Sequence, residues 1–123
     1  MNSSPATQAD LGARLSDLHA LLAEGKFIEA MEEFLHDDVV LQEASQPPKV
    51  GKAFCIAEEH KLLANVAEFR RYEIVSVGIG EDKTFYEAIM EFVEKDGTVV
   101  KMVQCVVDTW RNGLIVHEHF YHD

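Results

Sequence analysis

Val99-Val100-Lys101-Met102-Val103-Gln104-Cys105-Val106-Val107-Asp108-Thr109-Trp110-Arg111-Asn112-Gly113-Leu114-Ile115-Val116-His117-Glu118-His119-Phe120-Tyr121-His122 reads as two long strands joined by a two-residue turn. Asn-Gly tolerates the positive φ that both central positions of a tight hairpin require. Apolar and polar residues alternate on either side of it, as they do along half-buried strands. Side chains alternate across a strand, so the faces can be assigned. On the first strand Met102, Gln104, Val106, Asp108 and Trp110 share one face, and Lys101, Val103, Cys105, Val107, Thr109 and Arg111 the other. On the last strand Leu114, Val116, Glu118, Phe120 and His122 share one face, and Ile115, His117, His119 and Tyr121 the other.

The chain upstream extends this hairpin into a meander. Lys95-Asp96-Gly97 is a second hairpin signal, and Phe85–Glu94 precedes it as a strand. One face of that strand, Tyr86, Ala88, Met90 and Phe92, is wholly apolar. Residues 78–82 make a turn, and Arg70–Val77 is a strand rich in β-branched and aromatic residues. The period changes before that point. Residues 51–66 read as a helix with Phe54, Ala57 and Leu62 as its apolar positions. Val39-Val40-Leu41 is strand-like and leads to Gln42-Glu43, and Pro47-Pro48 marks a loop or sheet edge. Residues 26–35 read as a short helix with Phe27, Met31, Phe34 and Leu35 inward. Residues 4–24 read as a helix striped by Leu11, Leu15, Leu18 and Leu22, with Ser4 as cap, Pro5 in the first turn and Gly25 at the exit. Helices gathered first and a meander last predict an α+β fold, with helices packed on one strongly curved, mainly antiparallel sheet. The faces of Met102, Tyr86 and Leu114 are expected to be concave and helix-covered. The mixed opposite faces, with Val103, Cys105, His117 and His119, are expected to be convex and to pair in a homodimer.

The sequence has 123 residues, 47% of them hydrophobic, which suits a single domain over 1–123 with one core and a frayed lead-in at 1–7. Its formal net charge of −11 disfavours phosphate backbones and anionic lipid, so neither nucleic acid nor membrane is expected as a partner. A small apolar or neutral organic molecule is the expected ligand. Met1–Asp10 lacks the basic and apolar regions of a secretory signal, and Cys55 and Cys105 lie far apart outside any CxxC spacing. Both point to a reducing cytoplasm.

Two segments resemble known families. Leu35-His36-Asp37-Asp38-Val39-Val40-Leu41-Gln42-Glu43, with Gln46-Pro47-Pro48 and Gly51, resembles the first strand region of ketosteroid isomerases. Asp108-Thr109-Trp110-Arg111-Asn112-Gly113-Leu114-Ile115-Val116 resembles the last hairpin of SnoaL-like polyketide cyclases. Both families belong to the nuclear transport factor 2-like superfamily, which implies a cone-shaped, cystatin-like roll of three N-terminal helices on a mixed, mainly antiparallel sheet. The resemblance places the isomerase general base on Glu43. It places the two oxyanion donors on Leu18 and Val106, which cannot donate, and leaves Asp108, two residues on, as the substitute. The His and Asp of the cyclase ending fall on Glu118 and Phe120.

The candidate catalytic residues are therefore Glu43 and Asp108. Carboxylates crowded in an apolar cavity raise each other's pKa and become usable for proton transfer. Tyr72, Tyr86, Met90, Met102, Gln104, Trp110, Glu118, Phe120 and His122 are the expected pocket lining. The aromatic residues among them serve equally as ordinary core. His117 and His119 share a face but lack a third ligand at a recognised spacing, so no metal is expected. No phosphate loop or dinucleotide fingerprint is present, so no cofactor is expected. Two kinds of function stay open: a cofactor-free isomerase or cyclase, and a non-catalytic ligand-binding or dimerisation module of the same shape.

Overall fold

A computed structural model of the chain describes residues 8–122. The expected cap at Ser4, the first turn at Pro5 and the frayed lead-in at 1–7 lie outside them. The described elements are α1 (Gln8–Ala23), α2 (Phe27–Phe34), β1 (Leu35–Glu43), β2 (Lys49–Val50), α3 (Lys52–Leu63), β3 (Val66–Ile79), β4 (Lys83–Glu94), β5 (Val99–Arg111) and β6 (Leu114–Tyr121). The sheet has six strands in the order β2-β1-β6-β5-β4-β3. Only the β1–β6 pair is parallel. Three helices on a mixed, mainly antiparallel, unclosed sheet make the α+β fold the residues foretold. The two-residue β2, next to Pro47-Pro48, takes the edge where a proline-flanked segment belongs.

The Asn112-Gly113 turn has positive φ at both residues, 53° and 78°, and Arg111 pairs with Leu114 across it. Arg14 of α1 holds it from above. Its Nε and Nη2 donate to the Gly113 carbonyl at 3.1 and 2.9 Å, while its guanidinium lies 4.1 Å from the centre of the Phe34 ring. Leu11, Leu15, Leu18 and Leu22 of α1 bury their stripe against the sheet, with Ala30 and Phe34 of α2 beside them. Leu35 is not the end of α2. It turns to extended backbone and opens β1.

Two face assignments are corrected. On β6 the buried residue near the turn is Ile115, not Leu114 or Val116. Thr109 pairs with His117 but Trp110 pairs with Ile115, so Val116 is the extra residue of a β-bulge. A one-residue insertion swaps inside and outside beyond it. On α3, Phe54, Ala57 and Leu62 are exposed, and Cys55 faces the core instead. Among the described residues no helix is long and apolar enough to cross a membrane.

Candidate functional site

Strand register brings the candidate residues together in cross-sheet rows on the helix-covered face. Asp108 of β5 stands between Glu118 of β6 and Thr84 of β4, with Leu41 of β1 beyond Glu118. The next row holds Glu43, Phe120, Val106 and Tyr86. One row further lie Gln104 and Ala88, and continuing the ladder past Cys105–Tyr121 sets His122 beside Gln104. Met102, Met90 and Tyr72 form the row after that.

Asp108 is completely buried, and neither of its carboxylate oxygens has a hydrogen-bond donor as partner while both acids of the pair are ionised. Burial first, then the charge of Glu118, hold its carboxyl well above the usual carboxylate range. Burial also raises Glu118, with the Glu43 charge adding to the effect and the bond from Asp108 opposing it. One proton shared between the two relieves both, and it rests on Asp108, the more buried and more strongly shifted member.

Tyr72 and Tyr86 extend the polar set. Gln104 Nε2 donates to the Tyr72 hydroxyl at 3.2 Å, and the Tyr86 hydroxyl donates to the same oxygen. Burial keeps both phenols protonated. At the rim, His122 Nε2 lies 2.8 Å from Glu43 Oε2. The Glu43 side chain is 40% exposed.

The structure thus brings Glu43, Asp108, Glu118, Gln104, Tyr72, Tyr86, Phe120 and His122 into adjoining rows. Met90 and Met102 share the row of Tyr72, one beyond Gln104. Trp110 shares the face of Asp108, but its indole N–H donates to Thr84 Oγ1 at 2.9 Å and its ring meets Phe34 edge-on, so it is packed as core.

Two residues were not foreseen. Glu59 of α3 is raised by burial first and then by Glu43, with Glu118 adding less. It lies one helical turn from the buried Cys55, and that spacing was its only signal. His19 of α1, one turn after Leu15, meets Tyr86 edge-on at 4.4 Å, and its Nε2 is buried without a partner. Burial lowers its pKa to about 4, so it is neutral.

No family model and no curated protein matches the sequence. Solved structures do match the fold. A Mesorhizobium loti protein assigned as a SnoaL-like polyketide cyclase is 22% identical, with a TM-score of 0.80 over 91% of this chain and 98% of its own. A nuclear transport factor 2-like protein of unknown function from Burkholderia pseudomallei is 14% identical, with a TM-score of 0.77 over 90% of this chain and 88% of its own. TerC, co-crystallised with polyporic acid, is 15% identical, with a TM-score of 0.75 over 90% and 89%. Likeness at this identity establishes a shared fold, and a shared fold does not fix an activity.

Proposed function

We propose that this chain, which has the nuclear transport factor 2-like fold, binds a small organic molecule with an apolar or neutral body and moves a proton on it without a cofactor. The observation that carries this reading is Asp108, fully buried opposite Glu118, with no protein donor to either carboxylate oxygen. A carboxylic acid kept protonated in an apolar site can donate a hydrogen bond to an oxygen that gains charge during reaction. Leu18 and Val106 are buried and apolar, so that role falls to Asp108. The Tyr72 hydroxyl accepts from both Gln104 and Tyr86, which strengthens its own O–H as a second donor. Glu43 is then the base. Its carboxylate takes a proton from a carbon next to a carbonyl, and the electron pair moves onto the carbonyl oxygen, which accepts the Asp108 O–H in place of Glu118. The proton returns at another carbon in an isomerisation; in a cyclisation the carbon attacks a second carbonyl of the same molecule, whose C=O π bond breaks and whose oxygen takes the proton from Glu43. The co-crystallisation of TerC with polyporic acid supports an organic ligand for this shape of fold. The free thiols of Cys55 and Cys105 suit a reducing, cytoplasmic setting.

The test is conversion of a β,γ-unsaturated cyclic ketone to its conjugated isomer, followed by absorbance. The wild-type protein should accelerate it, and Glu43→Gln and Asp108→Asn should each lower kcat by about 10²-fold. A wild-type rate equal to that of buffer sinks the catalytic reading. A rise in Tm with the ketone but no turnover would favour the ligand-binding module instead.

A further inference from the structure

We propose that His122 is the positioning residue of Glu43: the C-terminal end of β6 holds this carboxylate inward at the rim of the cone, where its neighbours would otherwise drive it out. The inference rests on the role of Glu43 given above. Glu43 is the last residue of β1, its side chain is 40% exposed, and among the described residues its side-chain bond is the one to His122. The ionisable groups that face it are Glu118 on β6 and Glu59 on α3, both acids, with Asp108 behind Glu118. Lys49 and His60 act on Glu59. Like charges repel, so an untethered glutamate here would rotate into water.

Three contacts from the end of β6 and from His122 just beyond it prevent that. The Phe120 carbonyl accepts from the Ala44 N–H at 2.7 Å, His119 Nε2 lies 3.1 Å from the Ala44 carbonyl, and His122 Nε2 lies 2.8 Å from Glu43 Oε2. Ala44 itself has a φ of 46°, a left-handed conformation that an alanine adopts only when its surroundings impose it. The backbone behind Glu43 and the tip of its side chain are thus fixed by the same strand end. The parallel pairing of β1 with β6 is what makes this geometry available, because both strands end at the same rim. With Oε2 held by His122, Oε1 is the oxygen left for a substrate proton.

The charge of Glu43 is felt by Glu118, so the Glu118 titration reports where Glu43 points. It is followed by carbon-13 NMR of labelled glutamate in the full-length protein. Glu43→Gln removes the charge and should lower the Glu118 midpoint. His122→Leu should lower it by a similar amount, because Glu43 swings out, whereas His122→Gln, which keeps a donor, should stay near wild type. In the ketone assay His122→Leu should lower kcat about tenfold with KM little changed. Should His122→Leu prove unstable, the nitrogen-15 shift of His122 Nε2 in the wild type serves, and it should change on Glu43→Gln. A Glu118 midpoint that falls in Glu43→Gln but stays at its wild-type value in His122→Leu overturns the proposal. So does an Nε2 shift indifferent to Glu43→Gln. These NMR readings stand apart from the fate of the catalytic reading, which the wild-type ketone rate decides alone.

Discussion

Replacing Asp108 by asparagine removes one of two acids that face each other across β5 and β6 and supplies an N–H where the shared proton lay. The Asp108 carboxyl is raised above its ordinary value of 3.8, so its favourable contribution is complete at low pH and is lost as pH rises through the folded value. Asp108→Asn should therefore stabilise the chain more as pH increases, by about 1–3 kcal/mol at pH 8, measured by urea unfolding. His19 acts at the other limit. Its pKa is lowered from 6.5 to about 4, so its contribution is complete above 6.5 and is lost as pH falls toward 4. His19→Phe, which keeps an edge-on ring against Tyr86, should flatten the acid limb of the stability curve and leave pH 7.5 little changed. A wild-type acid limb retained in His19→Phe would remove this account. Asp108 was legible in the sequence because it sits in phase with Val106 and Trp110. His19 and Glu59 were not, because a polar residue on an apolar stripe carries no mark of whether it faces the core or slides past it.

At the level of elements, the tight turns were the legible part. Asn112-Gly113 lies where its φ preference puts it, and β5 and β6 pair across it. The bulges were not legible, since no residue type encodes an extra residue in a strand whose partner is unknown. β3 carries register shifts at three places, between Val66 and Glu68, Phe69 and Arg71, and Ile74 and Ser76. They bend the edge strand around the helices and leave Tyr72 inward. The bulge at Val116 is what turned Ile115 into the core. Two glycines separate backbone strain from crowding. A Cβ on Gly113, at φ 78°, would meet only Arg14 Nε at 3.9 Å. A Cβ on Gly25, at φ 76°, would sit 2.9 Å from Phe69 Cδ2, in a ring packed edge-on to Phe27. Gly113→Ala should cost about 1 kcal/mol, the strain alone. Gly25→Ala should cost at least about 1 kcal/mol more, because a packed ring must shift as well. Equal losses in thermal unfolding would show that the crowding at Phe69 is absorbed.

At the scale of the molecule, the sheet face opposite the helices is left uncovered by the described residues. Val103 is 61% exposed and pairs across the ladder with Ile89, while Phe85 and Tyr121 are exposed beside Val107 and Cys105. Along the β3 side, Arg70 and Arg71 converge on Glu91 at 3.2 and 3.3 Å, and Ser76 donates to Glu87 at 2.6 Å, so a polar margin borders the mainly apolar centre. A twofold pairing of this face buries the apolar centre against itself, and a stable dimer needs about 800 Å² from each partner. We predict a dimer at neutral pH that Val103→Glu converts to a folded monomer, read by light scattering with circular dichroism as the control. Acid acts on this face in two opposed ways. Protonation reduces the formal charge of −11 and so the repulsion between copies, but at physiological salt that repulsion is screened beyond about 8 Å. His117 is lowered below 6.5 by burial first, and then by His119 and Lys83, so charging it becomes costlier when a second copy removes more water. That local cost is not screened, and it outweighs the long-range gain. Association should therefore weaken as pH falls below about 6.5, and His117→Asn should remove most of that dependence. A chain that stays monomeric at neutral pH and high concentration, or a dimer whose strength ignores pH between 7.5 and 5.5, would show that this face does not pair as argued.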